Sequence, residues 1–236
     1  SGRAKGMAGQ TGGRRPKPGE ISLATGGILF LDEFPEFSRA ALETLRQPLE
    51  EREVTVSRVE ASVTYPANFQ LVAAMNPCPC GHFPDRSRCR CTDGQITRYL
   101  QKVSGPMLDR IDICVEAAPI TYGDIKSSGN NESSREIRAR VEQARKIQRE
   151  RFAGENVRCN GEMSGRHIRK FCGLGREEEK FMEEIFEKLA LSARMHDRIL
   201  KVARTTADLA EEEKIRLADL CEAVSYVKSR DKFWGN

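Results

Sequence analysis

Apolar and polar residues follow two different patterns along this chain, and the change between them divides the sequence into two parts. Up to about residue 126, short apolar runs of strand length alternate with turn residues and short helical stripes, which is typical of an α/β fold. The clearest run is Ile28 to Leu31, which follows a glycine pair and ends in Asp32 and Glu33. Four large apolar residues in a row predict a strand buried on both faces of a parallel sheet.

The other elements of the first part are predicted from the same kinds of signal. Ser38 is expected to cap a helix that carries Ala41, Leu42, Leu45 and Leu49, and Pro48 is expected to disturb that helix near its end. The remaining predictions are a hairpin of segments 54–58 and 61–65, a second buried strand over 69–75, a helix that Asp93 caps and Gly105–Pro106 ends, and a third strand over 111–115.

Beyond residue 134 the apolar residues recur at helical spacing only. The stripes are Ile137, Val141, Ala144 and Ile147, then Phe181, Met182, Ile185, Phe186 and Leu189, then Leu217, Leu220, Cys221, Val224 and Val227. We therefore expect a flexible segment over residues 1–17, the α/β part over 18–126, a polar linker over 127–134, and a helical domain over 135–236.

Composition narrows the class of protein only a little. The net charge is +4, from 39 Lys and Arg against 35 Asp and Glu, which permits contact with polyanions without requiring it. The many cations between residues 135 and 151 could face DNA, but such a run is more typical of a solvated helix face. No apolar run approaches the roughly 18 residues of a membrane span, and no signal pattern begins the sequence, so we expect a cytoplasmic protein without membrane contact.

The acidic pair after the first strand is a candidate cation site. Ligands of parallel sheets bind at the carboxyl ends of the strands, where Asp32 and Glu33 would emerge. Carboxylate oxygens suit Mg²⁺, and a second carboxylate could orient a water molecule for attack on a phosphate. The alternative is a strand that ends in two solvated acids.

The sequence lacks the phosphate loop that usually accompanies such a pair. That loop has the pattern G-x-x-x-x-G-K-[ST], and no Gly-Lys-Ser/Thr occurs anywhere in the 236 residues. Gly12 and Gly13 are followed by Arg14, Arg15 and Pro16 instead. We interpret the sequence as a fragment of a longer polypeptide that begins after its phosphate loop.

Four cysteines form a second candidate site. Cys78, Cys80, Cys89 and Cys91 make two C-x-C pairs separated by a polar loop with few apolar residues to stabilise it. Four thiolates are a frequent ligand set for Zn²⁺, although the usual spacing within a pair is wider. His82 could replace one sulfur, and the alternative is four reduced thiols in a disordered loop.

Five segments along the chain carry a recognisable pattern, and they are residues 18–24, 27–37, 73–81, 105–112 and 192–204. In this order they resemble the AAA+ ATPases of the magnesium-chelatase-like group, most closely the ComM/YifB-type subfamily.

The resemblance implies roles for individual residues. Asp32 and Glu33 look like the Walker B pair, with Asp32 holding Mg²⁺ and Glu33 polarising the attacking water. Asn76 is similar to the sensor-1 residue, and Arg110 to the arginine finger that reaches the nucleotide of a neighbouring subunit. Arg194 resembles the lid arginine that contacts the nucleotide, with Arg198 as second choice, and the hairpin matches the insert that points to the pore in related motors.

The resemblance also implies a function for the intact protein. It would be an ATP- and Mg²⁺-dependent ring motor, most simply a hexamer, that acts on single-stranded or branched DNA during transformation or recombination. The fragment itself is expected to be monomeric and inactive. Two alternatives remain open: an accessory ATPase of the metal-chelatase type, and a zinc-stabilised module that binds nucleic acid or protein.

Overall fold

The computed structural model describes residues 9–10, 17–57, 62–118, 122, 126 and 132–234. These residues form two compact units. The first consists of the chain up to Ile111 together with Phe233 and Trp234, and the second runs from Asp112 to Lys232. The predicted fold class is confirmed, because a partial α/β unit with a parallel strand pair precedes a helical region.

The first unit combines short strands with short helices. Its elements are β1 (Gly9–Gln10), β2 (Lys17–Pro18), α1 (Glu20–Leu23), β3 (Ile28–Leu31), α2 (Arg39–Glu43), α3 (Arg46–Glu51), β4 (Glu53–Ser57), β5 (Ser62–Pro66), β6 (Gln70–Ala73), α4 (Asp93–Leu100) and α5 (Gly105–Leu108), with a 3₁₀ turn at Phe34–Glu36. The antiparallel pair of β1 with β2 lies in the region predicted to be flexible, and the rest of residues 1–16 is outside the described part of the chain.

Strands β3 and β6 form the parallel pair that the apolar runs predict. Leu29 lies opposite Leu71 and Leu31 opposite Ala73, and the amide of Ala74 donates to the carbonyl of Leu31 over 2.9 Å. The prediction that both strands are buried on both faces is wrong. Phe30 is 59% exposed and Val72, its partner in the pair, is 37% exposed. Among the described residues this sheet has two strands, so only the face with Leu29 and Leu31 packs into the core.

The helix predicted after Ser38 is present but divided. The Ser38 hydroxyl accepts a hydrogen bond from the amide of Ala41 over 3.2 Å, as expected of an N-cap. Helix α2 ends before Thr44 and α3 begins at Arg46. Pro48 lies in the first turn of α3, where a missing amide hydrogen costs least. The break between the two helices therefore precedes Pro48, whereas the sequence predicted a single helix disturbed near its end.

The predicted hairpin is confirmed as β4 paired antiparallel with β5. Thr55 lies opposite Thr64, with their hydroxyl oxygens 3.1 Å apart, and Val54 is buried opposite Tyr65. The connection, residues 58–61, lies outside the described residues.

Three predictions at the end of the first unit need correction. Thr92 rather than Asp93 caps α4, because its hydroxyl accepts the amide of Gln95 while Gln95 reaches back to the Thr92 amide. Gly105 and Pro106 begin α5 instead of ending a helix, which suits a proline in a first turn. Residues 111–118 form no strand, and Val115 is 71% exposed, because none of the described strands pairs with them.

The second unit is helical, as predicted. Its elements are α6 (Ser134–Arg151), a 3₁₀ turn (Asn160–Glu162), α7 (Gly165–Phe171), α8 (Arg176–Lys188), α9 (Ala193–Leu209) and α10 (Leu217–Trp234), whose last residues belong to the first unit. Met182, Ile185, Ile199, Leu220 and Val224 are among the core residues.

All three predicted helical stripes are only partly buried, and on α8 Phe186 is 40% exposed. On α6, Ile137 and Val141 are exposed while Ala144 and Gln148 are buried, and on α10 the Cys221 side chain is exposed. Periodicity therefore identified the helices correctly but not every residue of their buried faces.

A buried ionic network joins α6 to α9. Asp208 is completely buried and accepts hydrogen bonds from Arg151 (2.7 Å to Oδ2), from Arg204 (3.1 Å) and from the Asn160 amide group (2.8 Å). Burial lowers the pKa of Arg204, and the charge of Asp208 opposes that shift. The guanidinium group of Arg204 also donates to the carbonyls of Glu212 and Glu213, so every charge in the network has a partner.

No helix among the described residues has both the length and the apolar content that crossing a bilayer requires.

We expect Asp208→Ala to lower the free energy of unfolding of the helical unit by about 3–5 kcal/mol, because it leaves buried guanidinium groups without their counterion. Urea denaturation followed by circular dichroism measures the loss. Glu184→Ala, which removes an exposed carboxylate from α8, is the control. A loss no larger than that of the control would contradict the role assigned to Asp208.

Candidate functional site

The acidic pair lies where the parallel register of β3 and β6 brings two chain segments together. Leu31 pairs with Ala73, and just beyond this pair the amide of Phe34 donates to the carbonyl of Ala74 over 2.9 Å. Asp32 and Glu33 are thus held against the carboxyl end of β6, with both side chains exposed. The position suits a cation that is shared with a ligand in solvent.

Glu33 has a strained backbone. Its φ of 52° and ψ of 46° place it in the left-handed region, which costs a residue with a Cβ about 1–2 kcal/mol. The Asp32 carboxylate stabilises this turn by accepting the Glu33 amide over 2.9 Å. Residues with a strained backbone are more frequent at functional sites, where the surrounding structure holds them in that conformation.

Asn76 follows β6 at the same end of the sheet. It is exposed, and its side chain lies beneath Gly81, where an added Cβ would come within 3.8 Å of the Asn76 Oδ1 atom. Tyr99 of α4 lies close to the backbone of Asn76. Burial, followed by the negative charge of Glu36, raises the pKa of Tyr99; a hydrogen bond from the Asn76 amide opposes the shift, and the charge of Glu33 adds to it.

Arg110 is held within its own unit. Its side chain is 10% exposed, its Nη2 atom lies 2.6 Å from a carboxylate oxygen of Glu50 in α3, and its Nη1 atom donates to the carbonyl of Pro106. Its buried Nε atom has no hydrogen-bond partner among the described residues.

The two lid arginines differ in their surroundings. Arg194 lies exposed in the first turn of α9. Arg198 is 8% exposed, and its Nε atom donates to Asp112 over 2.9 Å. Arg198 is therefore already engaged within the helical unit.

The four predicted metal-ligating cysteines come together in one cluster. Their sulfur atoms all lie within 4.8 Å of one another, and Cys78, Cys80 and Cys89 are separated by 3.4, 3.6 and 3.8 Å. Four sulfurs around Zn²⁺ at about 2.3 Å are spaced about 3.8 Å apart, so the cluster has the size that zinc requires. The cysteines form no disulfides, and His82 does not belong to the cluster.

Backbone amides point at the sulfur atoms, as they would at thiolates. The amide of Phe83 donates to the Cys78 sulfur over 3.4 Å. Hydrogen bonds from the backbone of His82, and then of Arg90, lower the pKa of Cys80 to about 6. Burial, with the neighbouring thiols adding to it, raises the pKa of Cys91 to about 12. Without a cation the four thiols thus compete for charge, and a divalent metal would allow all four to ionise.

Sequence reasoning missed Tyr99, Glu50 and Trp234. Tyr99 belongs to an ordinary helical stripe, and Glu50 is one acid in a charged helix, so neither has a local signal. Trp234 packs against the residues around the cysteine loop, and its indole donates to the carbonyl of Leu100 over 3.1 Å. The one signal in the sequence was the position of Trp234 at the end of a predicted helix.

Comparison with protein-family models assigns both units. The model "Magnesium chelatase, subunit ChlI" matches residues 3–125, and "Magnesium chelatase, subunit ChlI C-terminal" matches residues 131–227. The chain belongs to the magnesium-chelatase-like AAA+ family. Its relatives place it in the ComM/YifB-type subfamily.

Three curated relatives illustrate that placement. The chain is 47% identical to "Competence protein ComM" of Haemophilus influenzae and 45% identical to "Uncharacterized protein YifB" of Salmonella typhimurium, in each case over 91% of this chain and 42% of the relative. It is 38% identical to "Uncharacterized protein Mb2921c" of Mycobacterium bovis, over 89% of this chain and 41% of that protein. The chain therefore spans less than half the length of these relatives.

At pH 7 in the metal-free chain, we expect iodoacetamide to modify Cys80 much faster than Cys91. The thiolate is the reacting species, and a pKa of about 6 leaves Cys80 mostly ionised at that pH whereas about 12 leaves Cys91 protonated. Mass spectrometry of the digested protein locates the label.

Zinc is expected to protect all four cysteines, while exposed Cys221 continues to react and serves as the internal control. Equal labelling of the four with and without zinc would contradict a shared metal site.

Proposed function

We propose that this chain is the Walker B-to-lid part of an AAA+ ATPase, in which Asp32 and Glu33 belong to a Mg²⁺–ATP pocket. The observation that carries the proposal is the parallel register of β3 with β6, which holds the acidic pair beside the strand end that leads to Asn76. The family assignment of both units supports it.

The residues present suit this chemistry. Exposed Asp32 would hold Mg²⁺, which neutralises charge on the phosphates when it is bound. Glu33 would polarise the attacking water, and Asn76 would orient the water and the γ-phosphate. The left-handed turn at Glu33, which the Asp32 carboxylate stabilises, would aim the two carboxylates in different directions and so suit these separate roles.

The cationic groups would complete the pocket from elsewhere in the assembly. Arg110 would act on the nucleotide of a neighbouring subunit, and the ion pair with Glu50 would hold its guanidinium group ready. Arg194 would contact nucleotide from the helical lid, and it suits this role better than Arg198, which is buried against Asp112. A site with these parts is incomplete in one subunit, so we propose a ring, most simply a hexamer.

Hydrolysis is expected only from the full-length protein. The 236 residues contain no Gly-Lys-Ser/Thr phosphate loop and span 42% of the relatives named above. We propose that the chain by itself is monomeric and inactive. The predicted linker over residues 127–134 lies mostly outside the described residues, and its last residue, Ser134, begins α6.

We further propose that the four cysteines bind one Zn²⁺ per chain. Cys78, Cys80, Cys89 and Cys91 have the spacing and the amide donors that a tetrathiolate site needs. The metal would fix the loop that follows β6 and hence the position of Asn76.

The substrate that we propose for the motor is DNA, single-stranded or branched, in transformation or recombination within the cytoplasm. A relative that carries the name competence protein supports DNA as the substrate.

The alternative is an accessory ATPase of the metal-chelatase type, which the names of the matching family models favour. ATP hydrolysis that DNA stimulates would support the first, and ATP hydrolysis that a metal-inserting partner enzyme stimulates would support the second. A zinc-stabilised module that binds nucleic acid or protein without hydrolysing ATP is the remaining alternative.

In the full-length protein, Glu33→Gln is expected to lower the rate of ATP hydrolysis by about 10²–10⁴-fold while ATP binding persists, because the water loses its polarising carboxylate. Steady-state phosphate release and nucleotide binding measure the two effects. Glu36→Gln, an exposed acid three residues further on, is the control. Hydrolysis by Glu33→Gln at the wild-type rate would remove the basis of the proposal.

Arg110→Ala is expected to lower kcat by about 10³–10⁵-fold in the ring, since it removes a cation supplied to the neighbouring site. Mixing Arg110→Ala subunits with Glu33→Gln subunits tests the role in trans. Some mixed interfaces combine an intact Glu33 with an intact Arg110, so activity should return. Mixed rings that form but stay inactive would argue that Arg110 has only its structural role beside Glu50.

A further inference from the structure

The helical unit contains a cavity of about 340 Å³ between the C-terminal half of α6 and the loop that follows it. Its lining residues are Arg145, Arg149, Phe152, Val157, Arg158 and Cys159. Half of them are arginines, and none is an acid. Phe152 is buried and stacks edge-on against Phe171 at 5.4 Å, so the floor of the cavity is part of the core.

The three arginines converge on this cavity without counterions. Arg145, Arg149 and Arg158 are exposed, and none of their guanidinium groups forms an ion pair with a described residue. Arg145 and Arg149 are separated by one helical turn, a spacing at which like charges disfavour the helix. The helix dipole compensates a cation at Arg149, in the last turn, but not the group of three.

Other arginines of the same unit differ from these three because they form ion pairs with carboxylates. Arg151, Arg198 and Arg204 each have a carboxylate partner, Asp208 or Asp112. Two acids near the cavity have other partners. Glu155 forms ion pairs with Arg166 and Lys170. Glu162 accepts a hydrogen bond from the backbone amide of Arg158 over 2.7 Å, which holds the loop but leaves the Arg158 guanidinium group without an ion pair to a described residue.

The loop that carries Arg158 is held in a fixed position. Asn160, two residues further on, donates its amide to Gln148 of α6 over 3.1 Å and its side-chain amide to buried Asp208 over 2.8 Å. The guanidinium group of Arg158 is therefore presented to the cavity from an anchored backbone. Such preorganisation lowers the entropy that binding an anion would otherwise cost.

Further cations extend from the cavity along the outer face of α6. Arg135, Arg138 and Lys146 are exposed on that face, and Glu142 lies among them; the other two carboxylates of this helix are Glu136 and Glu150. Arg138 and Arg149 are separated by about 16 Å along the axis. A row of this length is better matched to a chain of phosphates than to a single free anion.

We propose that this arginine cavity and the adjoining face of α6 bind backbone phosphates of a DNA strand. The guanidinium group is planar and donates two parallel hydrogen bonds to phosphate oxygens, and release of counterions from the DNA supplies the driving force. This inference deepens the DNA-directed part of the proposed function and rests on it. It adds a DNA contact within the helical unit.

The test measures binding of the 236-residue chain to a fluorescein-labelled single-stranded oligonucleotide by anisotropy over a series of salt concentrations. The variant Arg145→Gln/Arg149→Gln/Arg158→Gln is compared with Arg176→Gln/Lys180→Gln/Lys188→Gln. The second variant removes the same charge from exposed positions on α8. Circular dichroism establishes that both variants are folded.

The cavity variant is expected to lose at least about tenfold in affinity, and the slope of log affinity against log salt should fall by about 2, since each single-strand phosphate contact contributes about 0.7. The α8 control should lose far less. Equal affinity and slope in the two variants would overturn the cavity as a DNA site while leaving DNA binding by the protein intact.

A second arm distinguishes DNA from a free phosphate compound. Inorganic pyrophosphate is titrated into the chain and followed by calorimetry. Binding of pyrophosphate that the cavity variant loses, with no binding of the oligonucleotide by the wild-type chain, would overturn DNA as the ligand. Neither result depends on ATP hydrolysis, so the Glu33→Gln measurement decides the ATPase proposal separately.

Discussion

The pairing of two short strands determines the geometry of the candidate nucleotide site. Because β3 and β6 are parallel and in register, Asp32 and Glu33 leave the sheet at the same edge as the segment that leads to Asn76. A shift of one residue would exchange the buried and exposed faces of each strand and move Leu31 out of the core. The core contacts of Leu29 and Leu31 thus fix the register, and the register in turn fixes the acidic pair.

The loop after β6 connects this edge with the cysteine cluster. Asn76 immediately precedes the C-x-C pair that begins at Cys78, and Cys78 is fully buried against Ile96 and Tyr99 of α4. A cluster of the size that zinc requires therefore lies next to the proposed catalytic edge. Apolar packing on Cys78 and amide donors to the sulfurs together hold the loop in place.

Two groups of arginines in this protein differ in whether a carboxylate neutralises their charge. Arg110, Arg198 and Arg204 are largely buried, and each has a carboxylate within 3.1 Å, as a charge in a low-dielectric environment requires. Arg145, Arg149 and Arg158 remain exposed around a cavity and have no ion-pair partner among the described residues. The first group stabilises the fold or holds a side chain in place, whereas the second is free to meet an anionic ligand.

The sequence by itself determined the family, the order of α/β and helical parts, the Ser38 cap, the hairpin and the four cysteines, because each depends on residues close together in the chain. It could not determine which faces are buried, as Phe30 and Val72 show, since burial depends on what packs over a strand. Nor could it pair Arg110 with Glu50 or bring Arg151 and Asn160 to Asp208, because these partners are far apart in the chain. The sequence contains many carboxylates and arginines with similar local surroundings, and only tertiary packing decides which of them form pairs.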